Sequence, residues 1–341
     1  MKKIVIIGNG NLGNILAKKL NVSSIFSARH LVDFEEQINH ADCVLLTCPG
    51  FLIENVLRKI APFLKSTTLL GSIVGSNGFV FFARLILPHH QALFAFARVP
   101  YIARDHQILS CRALHYLAFN QVENPQKLKA FWERVLQKPV VLLPKIENVA
   151  LSNSNPLLHT ARLFGLFGQK HAYENPIYFY KEWDDFSSHK LLQMDEELQQ
   201  LLKKLHVSSD ALPPLTQHYD VHNAFELSQK IRSIAAFENI LAPMIQSNKI
   251  WVAHFAHRYF QEDVHLTFLL LVHLLELYEI KAPVCFEVAN WAKTLPLGGA
   301  IFSQNHIQKI AQALFTPPPE KINLFLFFYK NPRSTLKNFQ F

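Results

Sequence analysis

The chain has 341 residues, a length that suits two domains rather than one. Half of the residues are hydrophobic and 18% are charged, which supplies two cores and excludes a disordered or nucleic-acid-arm composition. The formal net charge of +8 comes from Lys and Arg spread along the chain rather than gathered in a basic run, so it reads as attraction for anionic small molecules, not nucleic acid.

The most informative segment comes first. An apolar run, Ile4 to Ile7, leads into Gly8-Asn9-Gly10-Asn11-Leu12-Gly13, and a helical pattern follows from Asn11 to Leu20. Strand, G-x-G-x-x-G and helix in that order make a dinucleotide-binding turn. Gly8 allows the tight turn, Gly10 lets the backbone approach the pyrophosphate, and Gly13 lets helix and strand pack closely. Asn11 and Leu12 lie at the helix N-terminus, whose free N–H groups and positive dipole end receive the anion.

Ser24 to Ser27 reads as the second strand. An acidic residue at its end would bind the adenosine ribose hydroxyl and select NAD. Here the chain reads Ser27-Ala28-Arg29-His30. A hydroxyl and a guanidinium suit a 2′-phosphate, so Ser27 and Arg29 favour NADP(H) over NAD(H). The alternative for Arg29 is a side chain in solvent.

Further along, Ala41 to Thr47 is a buried strand ended by Cys48-Pro49-Gly50, and Cys48 and Pro49 join the cofactor-binding set. Ile53 to Leu64 reads as a helix, Thr68 to Ile73 as a strand, and Leu93 to Val99 and Leu109 to Tyr116 as further strands. Gln126 to Leu136 is an amphipathic helix, and Val140 to Leu143 closes the first half. Alternating strands and helices predict a doubly wound, largely parallel α/β sheet of Rossmann type. From about residue 150 helical patterns dominate: Leu157 to Phe167, Phe186 to Leu205, Phe225 to Glu238, Asp263 to Tyr278 and Gln304 to Leu314. The expected organisation is a dinucleotide-binding domain over 1–148, an all-α substrate domain over 149–315 and a Pro-interrupted tail over 316–341, with an apolar, β-prone run from Ile322 to Tyr329.

The four cysteines lie in apolar surroundings without a C-x-x-C and read as buried reduced thiols. Seventeen histidines show no metal-ligand spacing and read as scattered surface residues, so no metal is expected. No signal peptide is visible, and the longest apolar stretch, Leu266 to Leu275, is too short for a bilayer. A soluble, cytoplasmic protein without a membrane partner is expected. A homodimer through the helical half is an open possibility.

Several strings then resemble the octopine/nopaline (opine) dehydrogenase family. They are Ala41-Asp42 through Cys48-Pro49-Gly50-Phe51, Val99-Pro100-Tyr101-Ile102-Ala103-Arg104, and Asn153-Ser154-Asn155-Pro156-Leu157-Leu158-His159. Phe179-Tyr180, Met194-Asp195-Glu196-Glu197 and Arg258-Tyr259-Phe260-Gln261-Glu262-Asp263-Val264 complete the set. They run in family order from residue 1 to about residue 290. The family usually has Pro where Thr160 stands, and Pro with an aromatic residue where His265-Leu266 stand. Its C-terminal pattern is not visible beyond Pro317.

The resemblance implies a Rossmann domain followed by a helical domain, as in 6-phosphogluconate-dehydrogenase-like proteins. It also implies a reaction: an amino acid's amine condenses with a 2-oxo acid, and NAD(P)H delivers hydride. His159 becomes the candidate general acid/base, or else a histidine with no role at a helix start. Asp263 becomes its orienter, or the cap of the helix it begins. Arg258 is the candidate clamp for the oxo-acid carboxylate, with an i,i+4 ion pair to Glu262 as the alternative. Arg162, Tyr101, Arg104 and Asn155 are further candidates for the substrate cleft, against packing or turn roles. Two competing functions remain open: another two-domain NADP reductase of keto or hydroxy acids, and a non-catalytic NADP-binding sensor.

Overall fold

In a computed structural model describing residues 3–207, 212–298 and 301–315, β1 (Ile4–Ile7) turns through the glycine loop into α1 (Asn11–Leu20). The chain continues through β2 (Ile25–Phe26), α2 (Glu35–Asn39), β3 (Cys43–Leu46), α3 (Gly50–Ile60), β4 (Leu69–Ser72), α4 (Phe79–Ile86) and β5 (Leu93–Phe96). A short hairpin, β6 (Tyr101–Arg104) and β7 (Gln107–Cys111), precedes β8 (His115–Asn120), α5 (Pro125–Leu136) and β9 (Val140–Leu143). The seven-stranded sheet runs β2-β1-β3-β4-β5-β8-β9, parallel except where β8 pairs antiparallel with β5.

The central strands explain the topology. Val5 to Ile7 and Cys43 to Leu46 are buried on both faces, as a parallel sheet covered on two sides requires. One face packs Ile15 and Leu16 of α1 and Trp132 of α5 with Phe94 and Phe96. The other face is continuous with the core of the second domain. Asn124 caps α5, its side chain accepting from the Lys127 N–H at 2.9 Å, with Pro125 in the first turn.

Beyond α6 (Glu147–Ala150) lies α7 (Asn155–Phe167), whose residues 156–163 are all buried, the mark of a helix at the centre of a domain. Around it stand β10 (Ala172–Tyr173), α8 (Asp185–Lys204), α9 (Leu215–Tyr219), α10 (Ala224–Arg232), β11 (Met244–Ser247), β12 (Ile250–Ala253), a π-helix over Tyr259–Phe268, α11 (Leu269–Leu277), α12 (Pro283–Ala292) and α13 (Gln304–Leu314). No helix among the described residues is long and apolar enough to cross a membrane.

Several expectations are corrected. The second half is not all-helical, because β10, β12 and β11 form an antiparallel sheet on its surface. Leu109 to Tyr116 is not one strand: Arg112 to Leu114 break it into β7 of a separate hairpin and β8 of the main sheet. The helix expected from Asp263 begins at Tyr259 and is π-wound at first. Pro283 to Ala292 adds a helix the pattern did not single out. Cys111 is exposed, unlike the other three thiols. The run from Ile322 to Tyr329 lies outside the described residues.

Candidate active site

The glycine loop has the shape its spacing implies. Gly8 has φ +126°, and a Cβ there would meet Thr47 Oγ1 at 2.5 Å. A Cβ on Gly13 would stand 1.7 Å from the Gly8 carbonyl oxygen, while one on Gly10 would meet nothing within 4 Å. The backbone is therefore closed beneath the loop and open above Gly10, where a pyrophosphate fits. No side chain caps α1 and no acid sits in its first turn, so its N–H groups remain for an anion. The Asn11 side chain accepts the His106 N–H at 3.0 Å, tying the helix start to the β6–β7 turn, and Leu12 is half-buried. Ser27 and Arg29 follow the end of β2, with Arg29 exposed and in no ion pair among the described residues. Cys48 and Pro49 end β3 at the same edge; Pro49 is exposed, whereas burial pushes the Cys48 thiol up to about 12. These residues fit a nicotinamide dinucleotide.

The second domain begins at that carboxyl edge. Ser152 donates to the Ala97 carbonyl just past β5, at 3.0 Å. Three residues later the Asn155 N–H bonds the Asn153 side chain at 3.0 Å and α7 starts, with Pro156 in its first turn. One turn on, His159 is 2% exposed. Its Nδ1 lies 2.7 Å from an Asp263 oxygen and its Nε2 lies 2.8 Å from the Tyr180 hydroxyl. A carboxylate at Nδ1 accepts the ring N–H, which turns the Nε2 lone pair toward the tyrosine O–H. The Tyr259 ring stacks on the imidazole at 3.9 Å between centroids. Burial, reinforced by Tyr259 and Asp263, pushes the Tyr180 hydroxyl well above the usual tyrosine range, so it keeps its proton. Burial, together with Arg258, pushes His257 down to about 4 and keeps it neutral.

Asp263 sits within the π-helix rather than at its start, so it is not a cap. Its neighbour Glu262 turns elsewhere: one carboxylate oxygen accepts the Gly50 N–H at 2.9 Å. Gly50 opens α3, and Pro49 before it makes no side-chain cap, so the second domain supplies the carboxylate that the helix N-terminus favours. Burial and the adjacent Asp263 hold the Glu262 carboxyl above its ordinary range, opposed by the Gly50 N–H and Arg258. Successive carboxylates thus hold one the dyad and the other the turn after β3. π-turns are rare and favour functional sites.

Arg258 is exposed at the start of this helix, its guanidinium 5.4 Å from the Tyr259 ring centroid. Protein crowding, which alone would lower it, is outweighed by Tyr259, Asp263 and Glu262, so its charge is reinforced. Among the described residues it makes no salt bridge with Glu262, and its side chain bonds Tyr259. Arg162 is different. Its side chain is almost fully buried and spends its donors on the Phe179 and Glu182 carbonyls and on Asp184. It braces the turn that carries Tyr180, with its charge met by Asp184. Tyr101 is likewise buried in the Rossmann core, under Lys19, with no partner for its hydroxyl. Arg104 ends β6, and its side chain lies outside the described part of the structure. Asn155 is half-buried in the first turn of α7. Asp195 and Glu197, from another family-like string, accept the Leu215 N–H and the Val284 and Cys285 N–H groups, so they hold chain segments in place.

Tyr180, Tyr259 and Glu262 lie within the family-like strings, but the sequence alone does not mark them as site residues. Their partners lie 21 to 212 positions away, which no local pattern reveals.

The second domain carries the clearest likeness to known proteins. Residues 142–295 match the family described as NAD/NADP octopine/nopaline dehydrogenase, alpha-helical domain. The chain is 22% identical to vitopine synthase of Allorhizobium ampelinum, over 76% of this chain and 71% of that protein. It is 23% identical to octopine dehydrogenase of Pecten maximus, again over 76% and 71%. A solved octopine dehydrogenase with NADH and L-arginine superposes with a TM-score of 0.71 at 15% identity, covering 91% of this chain and 94% of that one. A yersinopine dehydrogenase with NADP+ gives a TM-score of 0.62 at 13% identity, over 91% and 92%. Residues 142–295 thus carry an octopine/nopaline dehydrogenase-type helical domain, and the fold, a Rossmann-type first domain followed by a helical second one, is that of the solved octopine dehydrogenase.

Proposed function

We propose that this protein is an NAD(P)H-dependent opine dehydrogenase that prefers NADPH and reductively joins the amine of an amino acid to a 2-oxo acid. The observation that carries the reading is the buried His159–Asp263 pair at the carboxyl edge of a sheet whose first turn is a dinucleotide cradle. Gly8, Gly10, Gly13 and the α1 N-terminus would hold the pyrophosphate, and Ser27 with Arg29 the 2′-phosphate. The bound cofactor supplies the hydride.

The chain's own residues supply the rest. Arg258 pairs a substrate carboxylate by its planar fork. As the amine nitrogen attacks the ketone carbon, its proton passes by way of the Tyr180 hydroxyl to His159 Nε2. Asp263 stabilises the imidazolium so formed and fixes its orientation. That proton returns to the former ketone oxygen, a second proton from the amine, which enters as its ammonium form, follows by the same route so that the oxygen leaves as water, and the carbon of the resulting protonated C=N accepts hydride to give the neutral secondary amine. Tyr259 and the burial of His159 exclude bulk water from the proton path.

Two readouts test this. NADPH oxidation, followed by loss of the reduced nicotinamide absorbance, is expected only when an amino acid and a 2-oxo acid are both present. Oxidation with an oxo acid alone would overturn the reading in favour of a keto-acid reductase. His159→Ala is expected to abolish turnover while leaving NADPH affinity, read by fluorescence titration, nearly intact; unchanged turnover would remove His159 from the mechanism.

A further inference from the structure

A cavity of about 220 Å³ lies between the two domains, lined by Ala97, Arg98, Arg112, His115 and His218 among others. Its place follows from the topology. Because β8 runs antiparallel to β5, the end of β5 and the start of β8 lie together at the carboxyl edge of the sheet. β5 is four strands from β2, about 19 Å at ordinary strand spacing, so the cavity is remote from the 2′-phosphate position near Arg29. A neighbouring tyrosine links it to the proton path instead. Tyr219, beside His218, acts electrostatically on Arg98, on Arg112 and on Tyr180. Ala97 is tied to Ser152, just ahead of α7.

The cavity is cationic and uncompensated. Arg98 and Arg112 repel one another, and among the described residues neither has a carboxylate within salt-bridge distance. Arg112 Nε donates to the Val99 carbonyl at 3.2 Å, which fixes the side chain but leaves its charge unpaired. His115 is 2% exposed, and both of its ring nitrogens are buried without a partner. Burial, aided by Arg112, pushes His115 down to about 4, so it is a neutral imidazole with one N–H to offer. Burial and the neighbouring arginine also lower Arg98, to about 10, and it stays charged. Arg98 is half-buried and Arg112 exposed, and an anion in the cavity would meet both charges and the unpartnered, buried His115 imidazole. Side chains that fork onto a carboxylate are what the site offers.

The geometry points to this cavity as the subsite for a second carboxylate: one of the two substrates is a dicarboxylate, whose distal acid group binds Arg98 and Arg112. This rests on the opine dehydrogenase reading and names the substrate class within it. The distal acid belongs either to an acidic amino acid or to a dicarboxylic oxo acid, and the assay separates the two.

The test pairs isosteres. L-Glutamate is compared with L-glutamine as amine, with pyruvate as partner; 2-oxoglutarate is compared with pyruvate as oxo acid, with L-glutamine as partner. In one arm the dicarboxylate is expected to exceed its neutral counterpart at least about tenfold in kcat/KM, as fits a charge-assisted pair. Arg98→Gln with Arg112→Gln is expected to bring that ratio near one, and the lysine pair to restore part of it. Calorimetry on the NADPH-loaded protein gives an independent readout. Binding of L-glutamate or 2-oxoglutarate that the glutamine pair abolishes, without turnover, would uphold the subsite and defeat the opine reading. Turnover with no preference for either dicarboxylate would overturn the subsite, as would calorimetry showing that neither one binds.

Discussion

Asp263→Asn separates the catalytic reading of the dyad from a structural one. The substitution keeps the side chain's shape and removes its charge. The bond at stake is buried, charge-assisted and 2.7 Å long. Bonds of that kind contribute about 1.5–3 kcal/mol. At 1.36 kcal/mol per factor of ten, that alone is roughly 10- to 150-fold in rate. A second effect adds to it. An asparagine amide can donate to Nδ1, which moves the ring proton to Nε2, so His159 can no longer accept from Tyr180. In hydrolase triads this wrong tautomer costs about 10⁴-fold. The expected fall in kcat is therefore on the order of 10²- to 10⁴-fold. Stability should fall far less than activity, because the amide still bonds Nδ1. Glu262, held up by burial and by the Asp263 charge, is relieved when that charge goes. The assay is steady-state NADPH oxidation with an active amine and oxo-acid pair, alongside thermal melting of the same preparation. A kcat within about fivefold of the parent would refute the orienting role. So would an activity loss accompanied by a melting-point drop of several degrees.

Other consequences follow from the same geometry. Arg29→Ala should weaken NADPH binding roughly tenfold or more and NADH binding little, because only the former carries the 2′-phosphate; equal losses in fluorescence titration would refute the pairing. Glu262→Ala leaves the buried Gly50 N–H without an acceptor and should cost about 1–3 kcal/mol in urea unfolding, and Glu262→Gln, which keeps an acceptor oxygen, should recover most of it. Asp195 is pushed up to about 6 by burial. Its folded state holds the proton more tightly than the unfolded chain, so its contribution to stability is present below about pH 4 and is lost as pH rises through about 6. Asp195→Asn should therefore raise the melting temperature more at pH 8 than at pH 4, and an equal change at both would contradict the assignment.

The cofactor half of this protein was largely legible in its sequence. The Ile4–Gly13 segment carries its own geometry, and α1 has the bounds its pattern implied. α5 and α7 were also readable, each with Pro in its first turn. Two hairpins were not. Their two-residue turns, Asp105-His106 and Asn248-Lys249, both adopt positive φ without a glycine, and Asn-Gly or Asp-Gly is the signal that marks such turns. The strands β10 and β11 are too short to show alternation. At the site, His159, Asp263 and Arg258 were named on family strings, and the structure brings them together. Arg162 shares a helix with His159, which made it a reasonable cleft residue. The Phe179–Asp184 segment that absorbs its donors is remote in sequence, so burial reversed that expectation. The Gly50–Glu262 bond and the Arg98–Arg112 cavity likewise depend on domain packing, and residue order alone does not encode them locally.

The most direct test of the central claim is the product itself. The enzyme would be incubated with NADPH deuterated at the transferable position of its nicotinamide, an amino acid and a 2-oxo acid, and the mixture resolved by mass spectrometry. The account predicts a secondary amine containing both carbon skeletons, with one deuterium on the former ketone carbon and one water lost in the condensation. A deuterated 2-hydroxy acid with the amino acid returned unchanged would contradict it.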